Sequence, residues 1–168
     1  METHKLAQIN KSKIFISPCP RGGEFLEKDI KELIDSEFSL IISLLTYTES
    51  DQLGLTAELD ICKSYSVGFI SFPIMDRGIS GFDQFVEFIE LLYHKTQELS
   101  SILIHCHHGV GRSGMIALGL MIRDGQDLEE SIKQVSKIRG YDIPQSISQR
   151  RLLSAYYTFL HQSQKEVD

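Results

Sequence analysis

An α/β fold, with a single central, mostly parallel sheet of roughly four to five strands flanked by about six helices, follows from three observations. Two nearly continuous apolar runs, residues 39–45 and 101–106, have the composition of strands covered on both faces, as parallel strands are. Segments with apolar residues at helical spacing alternate with them, Leu26, Ile30, Leu33 and Ile34 before the first run and Phe82, Phe85, Val86, Ile89, Leu92 and Tyr93 before the second. No repeat, low-complexity tract or Pro/Gly/Ser linker divides the 168 residues, so one domain is expected, with its core over residues 13–160 and a frayed tail at 162–168.

Taken in order, residues 13–17 form a short apolar strand stopped by Pro18, Pro20, Gly22 and Gly23, and a further strand is expected near Leu6 to Ile9. Residues 24–36 have helical spacing, and 39–45 form the first strand buried on both faces. A helix over about 56–65, with Leu55, Leu59 and Cys62 on one side, leads to a strand at 67–72. Cys62 reads there as a small core residue. Pro73 opens the loop Ile74-Met75-Asp76-Arg77-Gly78, and Ser80 is placed to cap the long aromatic-rich helix that follows. Residues 115–122 are apolar all round, which predicts a buried helix with Gly125 past its end. Asp127 and Glu130 begin another helix through Ile132, Val135 and Ile138, and the Ser146-x-x-Gln149 spacing of a capping box opens the last.

Composition narrows the function. A net charge of −6 without any Lys/Arg block argues against nucleic acid or an anionic membrane as the main partner. Three cysteines, at positions 19, 62 and 106, suit a reduced chain better than a disulfide framework. The polar start, Met1-Glu2-Thr3-His4-Lys5, lacks the apolar core of a signal peptide, and no apolar run approaches the roughly 18 residues of a membrane span, so a cytoplasmic protein is expected.

The chemistry concentrates in Ile102-Leu103-Ile104-His105-Cys106-His107-His108-Gly109-Val110-Gly111-Arg112-Ser113-Gly114. A strand ends at Cys106, two glycines turn the chain, and a helix begins near Arg112. Loop amides and the positive end of that helix form a concavity for an anion, and the planar fork of Arg112 grips two oxygens of a phosphate at once. The same field favours the thiolate form of Cys106, which is the nucleophilic form. His105, Cys106, His107 and His108 are also possible metal ligands, but consecutive residues on a tight loop diverge, and no second cluster at ligand spacing completes a tetrahedron. No metal and no cofactor is expected.

Cys-x5-Arg-Ser, preceded by His and carrying both glycines, resembles the signature of the cysteine-dependent protein tyrosine and dual-specificity phosphatases, through His105, Cys106, Gly109, Gly111, Arg112, Ser113 and Gly114. The Phe72-Pro73-Ile74-Met75-Asp76 stretch is similar to the acid loop of the small dual-specificity and kinase-associated branch. The resemblance implies a phosphatase-like fold and a phosphorylated protein or peptide as substrate. It implies catalytic roles for Cys106, Arg112, Asp76 and Ser113, the last hydrogen-bonding the cysteine as leaving group. His107, His108, Gly109, Val110, Gly111 and Arg112 would bind substrate, and His105 would orient the loop and thiolate. Apart from the resemblance, Arg77, next to Asp76, would orient it, touch substrate or simply be solvated. Gln145 and Gln149 resemble the water-positioning glutamines of larger tyrosine phosphatases, alongside the capping-box reading.

The expected reaction is hydrolysis of phosphotyrosine, and of phosphoserine or phosphothreonine in a shallow pocket, through a cysteinyl phosphate. Alternatives are a phosphoinositide or other non-protein phosphomonoester, a non-catalytic phospho-binding module, or another thiol enzyme such as a sulfurtransferase or arsenate reductase. The signature loop lacks lysine, which disfavours lipid, and cysteine, arginine and acid are all retained, which disfavours a binding module. A redox disulfide between Cys106 and Cys19 or Cys62 is a further sequence-level possibility.

Overall fold

Four parallel strand ends converge on one edge of a five-stranded sheet, and that convergence positions the site. In the computed structural model, which describes residues 1–165, the strands are β1 (His4–Ile9), β2 (Ser12–Ser17), β3 (Leu40–Ser43), β4 (Gly68–Ser71) and β5 (Ser101–His105). Their order is β1-β2-β5-β3-β4. The β1–β2 pair is an antiparallel hairpin, and every other pairing is parallel. Ser17 and Ser43 both pair with His105, and Ser71 pairs with Ser43, so four strands finish in one row. Loops leaving such a row face the ligand crevice of an open α/β sheet.

The helices are α1 (Leu26–Asp35), α2 (Tyr47–Gln52), α3 (Glu58–Ser64), α4 (Phe82–Lys95), α5 (Gly111–Arg123), α6 (Leu128–Arg139) and α7 (Ile147–Lys165). Side chains on β5 alternate between faces. Ile102 and Ile104 join the larger core with α4 to α7, whereas Leu103 joins a smaller one with Leu26, Ile30 and Leu33 of α1 and Cys62 of α3. Residues 111–122 of α5 are buried on every side. Helix α4 packs so closely that a Cβ at Gly119 would meet Ile89 and Phe85 side chains at 2.7 Å.

Several local expectations are corrected. Helix α2 brings the α-helices among the described residues to seven. It buries no residue, so it carries no apolar periodicity to read. The expected helix at 24–36 is a 3-10 turn, Gly23–Phe25, followed by α1. Gly81, not Ser80, caps α4, and the Ser80 hydroxyl is buried with no partner among the described residues. Leu59 and Ile138 face solvent. The sheet begins at His4, ahead of the expected core. Helix α7 continues to Lys165 through part of the expected frayed tail, while residues 166–168 of that tail lie outside the described residues. Among the described residues no helix is long and apolar enough to cross a membrane.

Candidate active site

Cys106 follows the last residue of β5 and is buried. The chain then turns sharply beneath the end of β2. Gly109 has φ +66°, and a Cβ there would lie 2.2 Å from the Ser17 carbonyl carbon and 2.4 Å from Pro18 N, so glycine alone fits. The loop carbonyls are occupied from outside: Cys19 N–H donates to His107 O at 3.1 Å, and Arg139 donates to Gly109 O at 2.7 Å and His108 O at 3.0 Å. Gly114 N–H makes the first bond of α5, to Val110 O at 3.0 Å, and the N–H groups ahead of it have no intrahelical acceptor, which suits them to an anion. Ser113 Oγ lies 3.4 Å from Cys106 Sγ.

Arg112, on the first turn of α5, is fully enclosed and held in a fixed pose. Its Nη1 and Nη2 donate to the two carboxylate oxygens of Glu49, each at 2.9 Å, and Nη1 also donates to Ile74 O at 2.8 Å. This engages the Nη1/Nη2 edge of the fork, while Nε makes no hydrogen bond among the described residues. Glu49 is fixed in turn by the capping box of α2, in which Thr46 N–H donates to Glu49 and Glu49 N–H to the Thr46 hydroxyl. Burial alone would raise the Glu49 carboxyl, but hydrogen bonds from Arg112 and Thr46 outweigh it and hold the group at about 2. Burial likewise opposes the Arg112 cation, and Glu49, Cys106 and Asp76 more than offset it.

Asp76 stands at the tip of the acid loop, 72 % exposed, with Oδ1 3.4 Å from Arg112 Nη2. The upstream half of this loop is pinned by Phe72 N–H to Ser43 O at 2.9 Å and Ile74 N–H to Leu44 O at 3.0 Å. A cavity of about 490 Å³ is lined by Asp76, Arg77, His108, Val110 and Gln145 from the expected set. Arg139 and Tyr141 also line it, without having been anticipated. The His107 and His108 rings lie 4.1 Å apart, and His107 is outside the lining. Gln145 packs against the loop so tightly that a Cβ on Gly111 would approach its Oε1 to 2.7 Å.

Two expected supporting residues have defined partners. His105 is fully buried with Nε2 2.8 Å from Glu58 Oε1 on α3, and its Nδ1 has no partner among the described residues. Gln149 is fully buried away from the cavity, with both ends of its amide engaged: Oε1 accepts from Gln145 N at 3.1 Å, and Nε2 donates to Gly78 O at 3.3 Å. Glu49, Glu58 and Arg139 are the site residues that sequence reasoning missed. For Glu49 a signal existed in the Thr46-x-x-Glu49 capping-box spacing. Glu58 meets His105 at the end of β5, and Arg139 meets the loop, only through the tertiary fold.

All three cysteines are free thiols. Burial, reinforced by the charges of Glu58 and Cys106, pushes the half-buried Cys19 thiol up to about 11, and burial raises Cys62 to about 12 within the smaller core. Among the described residues no group of three or more His, Cys, Asp or Glu side chains is arranged to hold a metal ion.

Comparison with known proteins places this geometry. Residues 28–159 match the family model described as dual specificity phosphatase, catalytic domain. The chain belongs to that family. Members act as cysteine-based protein phosphatases, and this chain is a protein tyrosine/dual-specificity phosphatase. It is 27% identical to cyclin-dependent kinase inhibitor 3 of Rattus norvegicus over 94% of this chain and 74% of the relative. The Homo sapiens protein of the same name shows the same identity and coverage. Among solved structures, kinase associated phosphatase with its catalytic-site cysteine changed to serine superposes with a TM-score of 0.81 at 22% identity, covering 99% of this chain and 95% of that one. PTPMT1 gives a TM-score of 0.77 at 18% identity, with coverage of 98% and 99%. The structural likenesses establish the dual-specificity phosphatase fold.

Proposed function

We propose that Cys106 is the nucleophile of this phosphatase and Asp76 its general acid, acting on phosphotyrosine and on phosphoserine or phosphothreonine in proteins. The observation that carries the reading is the 3.4 Å contact between Asp76 and Arg112, which brings the upstream carboxyl over the loop that opens at Cys106. The thiolate attacks phosphorus in line, so an S–P bond forms as the ester P–O bond breaks. Arg112 and the loop amides neutralise the equatorial oxygens, and Asp76 gives its proton to the leaving oxygen. Water then attacks the thiophosphate; Asp76 takes a water proton, the S–P bond breaks, and Ser113 stabilises the returning thiolate. Gln145, against Gly111 and in the cavity wall, is positioned to orient that water.

The names of the relatives, cyclin-dependent kinase inhibitor 3 and kinase associated phosphatase, make a phosphorylated protein kinase the first macromolecular substrate to try. The test is phosphate release from phosphotyrosine, phosphoserine and phosphothreonine peptides, a phosphorylated kinase and phosphoinositides, with chelator present and Cys106→Ser beside the wild type. Release from the protein substrates that vanishes in Cys106→Ser supports the proposal. Release that survives the substitution, or saturable phosphopeptide binding by both proteins without release, overturns it.

A further inference from the structure

Gln149 occupies an unusual place for a polar side chain: it is fully buried in the first turn of α7, yet its amide reaches 71 residues back along the chain. An ordinary capping box would use Oε1 to accept from the N-cap residue, here Ser146. One half of that box is present, since Gln149 N–H donates to Ser146 Oγ at 3.2 Å. The other half is diverted. Oε1 accepts from Gln145 N–H, and Nε2 donates to Gly78 O. A buried amide with both ends satisfied across two separate segments fixes their relative position, because losing either bond leaves a buried polar group unpaired.

The two segments it joins flank one cavity, the first carrying Asp76 and the second Gln145. Gly78 closes the turn that carries Asp76, through Gly78 N–H donating to Met75 O at 2.8 Å. Gln145 lies against Gly111 of the signature loop and lines the same cavity as Asp76. Upstream of Asp76 the acid loop is held by β3 and by Arg112; downstream, before α4 begins at Phe82, Gln149 supplies the side-chain tether at Gly78. Asp76 itself is largely solvated, so its aim depends on those flanking anchors.

We infer that Gln149 is a positioning residue that latches the acid loop to the signature loop, holding Asp76 over the leaving group and Gln145 over the phosphorus in one register. This rests on Asp76 acting as the general acid. It departs from a water-positioning role for Gln149, which is fully buried and does not line the cavity. The latch should matter in proportion to the demand for a proton. A tyrosine leaving group, whose phenol has a pKa of about 10, needs Asp76, whereas a strongly acidic phenol leaves without help.

The experiment compares kcat/KM for a phosphotyrosine peptide and for 2,4-dinitrophenyl phosphate in wild type, Asp76→Asn, Gln149→Met and Gln149→Glu. Gln149→Met keeps the volume and removes both hydrogen bonds. Gln149→Glu keeps an acceptor for Gln145 and, when ionised, cannot donate to Gly78. The latch predicts roughly a tenfold loss on the peptide and a change within about twofold on the dinitrophenyl ester for both Gln149 variants. Asp76→Asn should show the same pattern more strongly, near 10²-fold. In Gln149→Glu the peptide activity should recover at low pH, where the protonated carboxyl donates to Gly78 again. If Asp76→Asn shows the leaving-group dependence and both Gln149 variants lose equally on the two substrates, the latch is overturned and the acid assignment stands. If Asp76→Asn loses equally on both, the acid assignment falls and the latch with it. Circular dichroism identifies a variant that does not fold, and Gln149→Glu then decides the question alone through its pH dependence.

Discussion

Gly109 in the signature loop and Arg77 in the acid loop have nearly the same left-handed backbone torsion, φ +66° and +59°, yet one position excludes every side chain and the other carries the longest cation. The difference is surroundings rather than torsion. A Cβ on Gly109 would strike the backbone of Ser17 and Pro18, which cannot move without shifting β2. Arg77 stands in the open on a loop held at its flanks, so its cost is the torsion alone. The comparison teaches that this site has two mechanical regimes. The signature loop is packed into the core and tolerates no change of shape, while Asp76, the proposed acid, is presented from solvent and depends on anchors at its flanks.

The largest effect that tests this contrast is at the cradle. Gly109→Ala combines a disfavoured torsion with a backbone collision, and the expected cost is at least about 3 kcal/mol of stability, with phosphatase activity lost. Urea unfolding and phosphate release measure both. A variant that keeps wild-type activity would show that the cradle flexes, and the two-regime picture would fail.

Next in size is Arg112→Lys. Lysine cannot meet both oxygens of Glu49 and both oxygens of a phosphate, because a single ammonium replaces a planar fork. A loss of roughly 10²–10³ in kcat/KM is expected, of the magnitude seen on removing one preorganised donor from a transition-state cradle. Steady-state kinetics on a small aryl phosphate is the measurement, and a fall below tenfold would argue that Arg112 works only as a point charge.

Legibility in the sequence follows the same division. The cradle could be read because its parts are contiguous: apolar β5, then Cys106, two glycines and Arg112 at the start of α5. The alternation of apolar runs with helical spacing was enough for the sheet and six of the helices. Helix α2 escaped because it buries nothing, and with it went Glu49, although the Thr46-x-x-Glu49 spacing was visible. Glu58 and Arg139 could not be read at all. Each reaches its partner only after α3 and α6 have packed, Glu58 across 47 residues to His105 and Arg139 across 30 to Gly109. Ser80 misled because a hydroxyl one residue ahead of the true cap has the right composition and the wrong phase.

Glu49→Gln tests the tether of the cradle by pH. The folded carboxyl lies near 2, below its ordinary 4.5, so its contribution to stability is complete above about pH 4.5 and is lost as pH falls toward 2. The glutamine variant cannot make that contribution at any pH. Its stability deficit against wild type should therefore be widest near neutrality and close progressively between about pH 4.5 and 2, as read from urea midpoints across that window. A deficit constant with pH would mean that the Glu49 charge is not what holds Arg112.

The smallest effect is expected at Arg77. Arg77→Gly removes a left-handed torsional cost of about 1–2 kcal/mol and adds a chain-entropy cost of about 0.5–1 kcal/mol. The net change in stability should stay within about 1 kcal/mol, or roughly 2–4 °C in melting temperature for a chain of this size. With the loop still held by Arg112 at Ile74 and by Gln149 at Gly78, turnover of a small aryl phosphate should also be nearly unchanged. Arg77 lines the cavity wall, so a phosphopeptide is the more searching substrate. If KM for the peptide rises severalfold while kcat and melting temperature hold, the guanidinium touches substrate beyond the phosphate. If kcat falls instead, Arg77 aims Asp76, and the acid loop is stiffer than its exposure suggests.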